Sequence, residues 1–332
     1  MNRILILSPG RQVYLIKLFK QYFNVFIGDN NPLSLKTYSD LETIKLPRYT
    51  TEEYKEILLE YIKEKNIEYV ITLSDIEAVI ISSISNGINK LGCKIIGVDK
   101  EKAKVCLDKY LFYKYLISNN IFTPRSYIHI EDILQDIKEG GLQYPIIAKN
   151  RWGMGSKGLM LIHNERELLQ YNRGNNQNSV PTFIQCNNDE SNSIIYQEAI
   201  HGQEYGIDIV NDLNNNFFDC RIKKKVEMRG GETDIAQIVE DKNILDLARQ
   251  LSLIFAHSGN IDCDIIRDIN GKLYVIDINP RFGGGYIFSL ESGLNVPYLL
   301  SEWINGKQPE IPPKINLGIT YRKITSLYKI KD

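Results

Sequence analysis

The first third of the chain alternates short apolar runs with amphipathic stretches. The apolar runs are short enough to be buried strands, and they occupy residues 4–7, 24–30, 67–73 and 93–98. The stretches between them space their apolar residues as a helix does, at residues 13–22, 51–66 and 76–92. Strands that alternate with helices predict a parallel sheet with helices on both of its faces.

The rest of the chain follows a different pattern. A helix-rich stretch at residues 100–120 ends before Thr123-Pro124. Strand-like runs then recur between polar turns, at residues 146–149, 158–162, 193–200, 204–210 and 217–226. A helix at 244–259 precedes a last pair of strands, and Asn270-Gly271 between them favours a tight hairpin. This order predicts an α+β region with antiparallel sheets.

Composition and charge exclude several classes of protein. Of the 332 residues 43% are hydrophobic, and 40 basic side chains nearly balance 41 acidic ones. Such a balance gives no overall field that attracts nucleic acid or an anionic membrane. No apolar run reaches the length of a membrane span, so we expect a cytoplasmic protein. The five cysteines form no Cys-x-x-Cys pair, which argues against a zinc site or a disulfide framework.

Polar residues follow two of the predicted parallel strands. Asp29 follows the second apolar run, and Ser74, Asp75 and Glu77 follow the third. Ligands of parallel sheets bind beyond the carboxyl ends of the strands, so these side chains are candidates for a substrate crevice. The same residues are equally consistent with helix caps and strand ends.

The final hairpin carries the strongest candidate for chemistry. Its second strand alternates, so Asp277, Asn279 and Arg281 project from one face, and Asp264 lies on the partner strand. Two carboxylates and a carboxamide oxygen suit a hard cation such as Mg²⁺, whose other ligands are commonly water and substrate phosphates. Arg281 adds a planar cation for a phosphate. A solvated polar face is the alternative, but it does not require the glycines at 283–285.

A glycine-rich turn follows the strand that ends at Lys149. Gly153, Gly155 and Gly158 surround Ser156, and such a turn can fold over phosphates and donate backbone N–H groups. The spacing is not that of a Walker A loop. A glycine-rich hairpin alone indicates only a turn. The basic strand end and the separate metal candidate favour a phosphate lid.

Two further segments are candidates for the same site. Glu198 and Glu204 flank a connection that contains Ala199 and Ile200, which can offer backbone groups to a base and a carboxylate to ribose. Positive charge is concentrated farther along, before Gly230-Gly231, at Lys223, Lys225 and Arg229. That segment is either a solvated edge strand protected by lysines or a loop over substrate or the γ-phosphate, and the glycine pair favours the loop.

Taken in order, these segments resemble the ATP-grasp superfamily, in particular the synthetase units of the carbamoyl phosphate synthetase large subunit. The resemblance covers nearly the whole chain. It implies a Rossmann-like parallel-sheet domain at residues 1–105, followed by a two-subdomain ATP-grasp fold. Its small lid subdomain would occupy residues 106–197, and the subdomain with the Mg-ATP site residues 198–332.

The resemblance also implies roles for individual residues. The nucleotide contacts would be Lys109, Lys149, Gly153, Gly155, Ser156, Gly158, Glu198, Ala199, Ile200 and Glu204. The ligands of Mg²⁺, or alternatively Mn²⁺, would be Asp264, Asp277 and Asn279. The catalytic residues at the phosphate end would be Arg281, Arg229 and Lys225. Asp277 stands where the family more usually has Glu, and Asp264 where Glu or Gln is commoner. We therefore expect a metal closer to the strand or bound through water.

The implied function is an ADP-forming carboxylate–amine ligase that uses ATP and Mg²⁺. It would activate a small-molecule carboxylate as an acyl phosphate for attack by an amine, and the resemblance also suggests a homodimer. A carboxylase- or kinase-like enzyme on the same site and a non-catalytic nucleotide-binding module are the alternatives. The chain is too short for a complete carbamoyl phosphate synthetase. Specificity is expected from Asp29, Asp75 and Glu77, and from loops near Arg229 and Tyr286.

Overall fold

The computed structural model describes residues 1–152, 158–175, 192–324, 327 and 330. Its strands form three sheets, one parallel and two antiparallel. The predicted phosphate-loop residues Gly153, Gly155 and Ser156 lie outside the described residues. The predicted combination of a parallel sheet followed by antiparallel sheets is confirmed.

The first sheet is parallel throughout, with strand order β3-β2-β1-β4-β5. Its strands are β1 (Arg3–Leu7), β2 (Asn24–Asp29), β3 (Glu42–Lys45), β4 (Tyr69–Thr72) and β5 (Lys94–Ile95). Its helices are α1 (Val13–Phe19), α2 (Pro32–Thr37), α3 (Glu52–Glu64), α4 (Asp75–Ser83) and α5 (Ser85–Lys90). The pattern predicts one helix over 76–92, but the backbone leaves helical geometry at Ile84, where φ is −107° and ψ is 16°.

The second sheet has four antiparallel strands in the order β6-β9-β7-β8. Two helices lead into it, α6 (Lys100–Leu107) and α7 (Lys109–Ser118). The remaining elements are β6 (Ser126–Tyr127), α8 (Ile130–Lys138), β7 (Ile146–Asn150), β8 (Met160–Ile162), α9 (Glu165–Asn175) and β9 (Ile194–Glu198). A small core that includes Ile133, Ile146 and Leu168 joins the helices to the sheet.

The third sheet has six antiparallel strands in the order β14-β13-β10-β11-β12-β15. They are β10 (Gly202–Asn211), β11 (Phe217–Arg229), β12 (Glu232–Val239), β13 (Gly259–Asp268), β14 (Leu273–Asn279) and β15 (Thr320–Arg322). The helices are α10 (Lys242–Phe255), α11 (Tyr286–Glu291) and α12 (Val296–Ile304). The boundaries proposed at residues 105 and 197 stay a prediction.

The six-stranded sheet has one apolar and one polar face, as the two-residue period of a strand requires. Ile207, Ile222 and Cys263 on the apolar face are fully or almost fully buried, in one core with residues of α6, α7 and α10. The chain after β14 turns back to the first sheet, where Phe282 packs edge-on against Phe19 with ring centroids 5.9 Å apart. This packing brings the strand ends of the first sheet to the polar face.

Candidate functional site

The hairpin β13–β14 groups the predicted metal ligands. Asp264 is the cross-strand partner of Asp277, and Asp262 is the partner of Asn279. Directly opposed side chains of an antiparallel pair are close neighbours, so the carboxylate of Asp262 lies on the polar face beside the predicted ligands, which are two carboxylates and a carboxamide. Their role as metal ligands stays a prediction.

Lysines of β11 compensate these carboxylates. The Nζ atom of Lys225 lies 2.7 Å from Oδ1 of Asp264 and 3.6 Å from Oε2 of Glu204. One step deeper, Nζ of Lys223 lies 2.5 Å from Oδ2 of Asp208 and 3.7 Å from Oδ1 of Asp262. The polar face therefore carries a network of opposite charges, in which each of the two lysines lies within ion-pair distance of two carboxylates.

Asp262 and Asp208 belong to this charge network, although neither was predicted as a site residue from the sequence. Burial raises the pKa of Asp262 to about 7, the nearby Lys223 ammonium opposes this rise, and the Asp264 carboxylate adds to it. A Cβ atom at Gly283 would lie 2.2 Å from Cγ of Asp262, so the backbone at 283 approaches this carboxylate as only glycine can. The available signal was strand alternation, since Asp262 precedes Asp264 by two positions.

Arg281 links the polar face to the first sheet. Its guanidinium donates to Oδ2 of Asp75 at 2.8 Å, to the carbonyl oxygen of Phe282 at 3.0 Å and to Oδ1 of Asn279 at 3.4 Å. Burial disfavours its charge, but the carboxylate of Asp75 raises the pKa of Arg281 above its ordinary value. The guanidinium therefore stays charged and is held in one orientation.

The other polar residues at the strand ends of the first sheet have structural partners. Asp29 accepts from the backbone N–H of Asn31 at 2.9 Å and from the Ser34 hydroxyl at 2.7 Å. Ser74 caps α4. Glu77 is buried and accepts hydroxyl hydrogen bonds from Tyr54 and Thr72, both at 2.6 Å. Burial raises the pKa of Glu77. Of the four candidates for the crevice, Asp75 alone forms an ion pair with Arg281.

Lys109 and Lys149 approach the same region from the second sheet and its leading helix. Burial lowers the pKa of Lys149 to about 8, the positive charge of Lys109 lowers it further, and the carboxylate of Asp277 opposes the shift. The charges of the two lysines and of Asp277 therefore act on one another, as expected if the predicted nucleotide lysines and this predicted metal ligand belong to one site.

A buried ion pair, also missed by the sequence reasoning, holds Lys109 in place. Asp108 caps α7, accepting from the backbone N–H groups of Tyr110 at 2.9 Å and Leu111 at 3.2 Å. Arg151 donates to both oxygens of the same carboxylate at 2.7 Å. Since Arg151 follows β7 directly, the pair fixes the start of α7 against the end of the strand that carries Lys149.

The predicted nucleotide hinge connects two sheets. β9 ends at Glu198 and β10 begins at Gly202, so Ala199 and Ile200 pass from the four-stranded to the six-stranded sheet. The carboxylate of Glu198 accepts from the backbone N–H of Arg125 at 3.3 Å, and the Glu204 side chain is half exposed. Of the phosphate-loop candidates only Gly158 is described, with φ at +73°.

Arg229 is not joined to the other candidates. It lies at the exposed end of β11, opposite Glu232. Within the described part of the chain its side chain forms no hydrogen bond or ion pair. Its proposed catalytic role is therefore without support from the described contacts.

The predicted oxygen donors on the polar face are too few to fill the coordination shell of a metal by themselves. Among the described residues, no group of three His, Cys, Asp or Glu side chains could hold a metal ion. Two carboxylates and one carboxamide instead fit an ion such as Mg²⁺ that completes its shell with water and substrate phosphates. Across the described residues we also find no helix with the length and apolarity needed to cross a membrane.

Comparisons with known sequences match the two ends of the chain to different families. The family described as "ATP-grasp in the biosynthetic pathway with Ter operon" matches residues 190–327, and "PylC-like, N-terminal domain" matches residues 4–96. The carbamoyl phosphate synthase large chain of Clostridium botulinum (strain Eklund 17B / Type B) is 24% identical over 281 residues, which cover 81% of this chain. That of Clostridium perfringens (strain SM101 / Type A) is 24% identical over 279 residues and 80% of this chain. The chain spans 24% of the length of either relative.

Solved structures share the fold over nearly the whole chain. The biotin carboxylase domain of Hydrogenobacter thermophilus 2-oxoglutarate carboxylase has a TM-score of 0.74 at 14% identity, covering 94% of this chain and 71% of that one. N5-carboxyaminoimidazole synthetase from Staphylococcus aureus, complexed with ADP, has a TM-score of 0.70 at 18% identity, covering 93% and 79%. An L-amino acid ligase from Bacillus licheniformis has a TM-score of 0.65 at 16% identity, covering 90% and 73%. Residues 190–327 therefore match an ATP-grasp family, and most of the chain is similar in sequence to carbamoyl phosphate synthase large chains and in fold to these carboxylases and ligases.

Proposed function

We propose that this protein is an ATP- and Mg²⁺-dependent, ADP-forming ligase. The observation that carries the proposal is the cross-strand pair Asp264–Asp277 beside Asn279, with Lys149 near Asp277 and Arg281 on the same face. Two of the structural neighbours were solved with ADP, one of them as its magnesium salt, which supports a nucleotide at the corresponding place.

The oxygen donors of the polar face would hold the metal. Asp264, Asp277 and Asn279 offer two carboxylates and a carboxamide, and ATP phosphates and water would complete the shell. When bound, Mg²⁺ would neutralise charge on the transferred phosphoryl group. Lys225 already contacts one oxygen of Asp264, so this carboxylate would be shared between the lysine and the metal.

The nucleotide would lie between the second and third sheets. Lys109 and Lys149 would bind its phosphates together with the loop at residues 153–158, most of which lies outside the described residues. Ala199 and Ile200, preceded by Glu198, would offer backbone groups to the adenine, and Glu204 would accept from the ribose hydroxyls. An anionic phosphate beside Lys149 would favour its protonated form, so nucleotide binding would raise the lowered pKa of this lysine.

The chemistry would proceed in two displacements. An oxygen of the substrate carboxylate attacks the γ-phosphorus of ATP, which forms an acyl phosphate and releases ADP. An amine nitrogen then attacks the acyl carbon, and phosphate leaves. Arg281, with Lys225 and Arg229 as further candidates, would stabilise charge on the transferred group. Positioning and charge neutralisation account for such catalysis without a side-chain nucleophile.

A carboxylase-type reaction is the second candidate. The Hydrogenobacter thermophilus neighbour is a carboxylase domain solved with bicarbonate. On the same site bicarbonate would take the place of the substrate carboxylate. Dependence of ADP release on bicarbonate, with no response to organic carboxylates, would select this alternative. A homodimer stays a prediction.

The metal assignment is tested by Asp277→Ala combined with Asn279→Ala. We expect ADP release from Mg-ATP, screened across carboxylate–amine pairs, to fall at least about a thousandfold, because several kcal/mol of charge stabilisation are lost. Asp246→Ala with Asn243→Ala removes the same two residue types from α10, far from the polar face in the fold, and should leave turnover unchanged. If the first variant folds and still releases ADP at the wild-type rate, the metal assignment is wrong.

A further inference from the structure

Asp75 differs from the other acidic residues at the strand ends of the first sheet. Only 4% of its surface is exposed, and its Oδ2 atom accepts from Arg281. Its other oxygen, Oδ1, is buried without a hydrogen-bond donor among the described residues. Asp29 and Glu77, by contrast, have donors from the chain on both oxygens. Since buried polar atoms normally have partners, Asp75 offers an unused acceptor.

A second unused acceptor lies at the same edge of the first sheet. Gln12 follows β1, the neighbour of β4, and its side-chain oxygen is also buried without a donor among the described residues. Burial and the carboxylates of Asp208 and Asp262 raise the pKa of Tyr14, which places the start of α1 beside the polar face. The Tyr14 hydroxyl is likewise buried without a partner among the described residues and can donate or accept, whereas the oxygens of Asp75 and Gln12 can only accept and favour a ligand group that donates hydrogen bonds.

The guanidinium of Arg281 does not supply this donor, because its nitrogens contact Oδ2 of Asp75, Asn279 and the Phe282 carbonyl. It does place a cation beside the unused Oδ1 atom. The site therefore contains a carboxylate and a guanidinium side by side, with Nη2 of Arg281 2.8 Å from Oδ2 of Asp75. A ligand that complements this pair carries an ammonium and a carboxylate close together.

We propose that Asp75 binds the protonated amino group of an α-amino acid whose carboxylate faces Arg281. This inference rests on the proposed function, in which that carboxylate is activated by ATP, and it names the class of the activated substrate. This amino group is not the attacking nucleophile. An amine must be unprotonated to attack, whereas the neighbouring carboxylate of Asp75 favours the protonated ammonium form of the bound amino group. Asp75 is then a residue that determines specificity, on the first sheet and not on the sheet that carries the metal candidates.

Asp75→Asn provides the critical variant. The amide oxygen can still accept from Arg281, so the orientation of the guanidinium is preserved. The amide nitrogen then replaces Oδ1 and presents a donor to the ammonium, where the wild type presents an acceptor. Loss of one charged hydrogen bond should weaken amino-acid binding roughly ten- to hundredfold.

The experiment measures binding by calorimetry with the full chain, Mg²⁺ and a non-hydrolysable ATP analogue. The probes are the standard amino acids in both chiral forms, each paired with its des-amino acid, such as alanine with propionate and lysine with 6-aminohexanoate. We expect some amino acids to bind at least about tenfold more tightly than their des-amino partners. Asp75→Asn should remove this preference, and Asp246→Asn, a carboxylate of α10 outside the candidate site, should retain it.

Three results would overturn the inference: equal binding of amino and des-amino acids, no binding of any amino acid, or equal weakening of both members of a pair by Asp75→Asn. The last result would make Asp75 only a positioning residue for Arg281. The proposed function is judged separately, by binding of Mg-ATP and its loss in the Asp277 and Asn279 variant. Melting temperatures of both aspartate variants show whether the fold is retained.

Discussion

The two faces of the six-stranded sheet are built from the same strands but have opposite chemistry. On β10, Ile207 lies in an apolar core, while its neighbours Gly206 and Asp208 lie on the charged face. The apolar face contacts helices, and the polar face carries the carboxylates and lysines of the candidate site. Because side chains alternate along a strand, one strand can place apolar residues in the core and charged residues in the candidate site.

The polar face is itself divided by depth. The side chains of Lys223 and Asp208 are buried and that of Asp262 is 15% exposed, whereas those of Asp264 and Glu204 are 35% and 48% exposed. A buried ion pair contributes little net stability when intact, but removal of one partner leaves an uncompensated charge. The deep half of the polar face should therefore affect folding as strongly as the apolar face does.

Lys223→Met tests this division and has the largest expected effect on folding. Asp208 and Asp262 would lose their shared cation, so we expect the free energy of unfolding to fall by about 3–5 kcal/mol. Urea denaturation measures the change. Lys224→Met, one position along β11 and without an ion pair in the described part of the chain, should change it by no more than about 0.5 kcal/mol. Equal effects of both variants would contradict the division.

The pH dependence of affinity for an ATP analogue tests the role of Lys149 and has the next largest expected effect. The pKa of Lys149 is lowered from 10.5 to about 8, so the folded protein loses this proton first as pH rises. Its contribution to stability therefore increases with pH between these values, because the unfolded chain binds more protons there. Affinity for an ATP analogue should instead fall as the charge is lost, by up to about tenfold per pH unit above pH 8.

Titration calorimetry of the ATP analogue between about pH 7 and pH 10 checks this expectation. Lys149→Met should bind more weakly at the lower pH and show a flatter profile. A wild-type affinity that is constant over the same range would show that Lys149 does not contact the phosphates.

Ile207→Val tests the apolar face and has the smallest expected effect. One methylene is removed from a fully buried side chain, so the free energy of unfolding should fall by about 0.5–1.5 kcal/mol. Affinity for the ATP analogue, measured on the folded protein, should not change. Ile269→Val, at a site that is 95% exposed, is the matched control and should alter neither quantity. A loss of nucleotide affinity in Ile207→Val would show that the two faces are coupled.

The parts of the site that the sequence predicts are those with local periodicity. Asp264, Asp277 and Asn279 could be placed on one face because strands alternate and Asn270-Gly271 sets the hairpin. The same rule places Asp262 and Asp208 on this face, so both could have been predicted from the sequence.

The parallel sheet was predicted from the alternation of strands and helices. The end of α4 at Ile84 could not be predicted from that alternation.

Contacts between distant segments could not be predicted in this way. Arg281 and Asp75 are 206 positions apart, and Arg151 and Asp108 are 43 apart. No periodicity connects such residues, because their contact depends on how whole elements pack. The sequence therefore indicated Asp75 as one of several strand-end candidates but could not separate it from Asp29 and Glu77.

The ion pair between Asp75 and Arg281 has a consequence for recombination. The two family matches cover residues 4–96 and 190–327, and each partner of the pair lies in a different one of these segments. A chimera that exchanges the first segment for that of another ligase would exchange residue 75 but keep Arg281. Such a chimera would keep the proposed metal ligands on β13 and β14 and would gain a different partner for Arg281. If Asp75 binds the substrate as we propose, exchange of the first segment would change which substrate is accepted, while the proposed metal ligands in the second segment would stay the same.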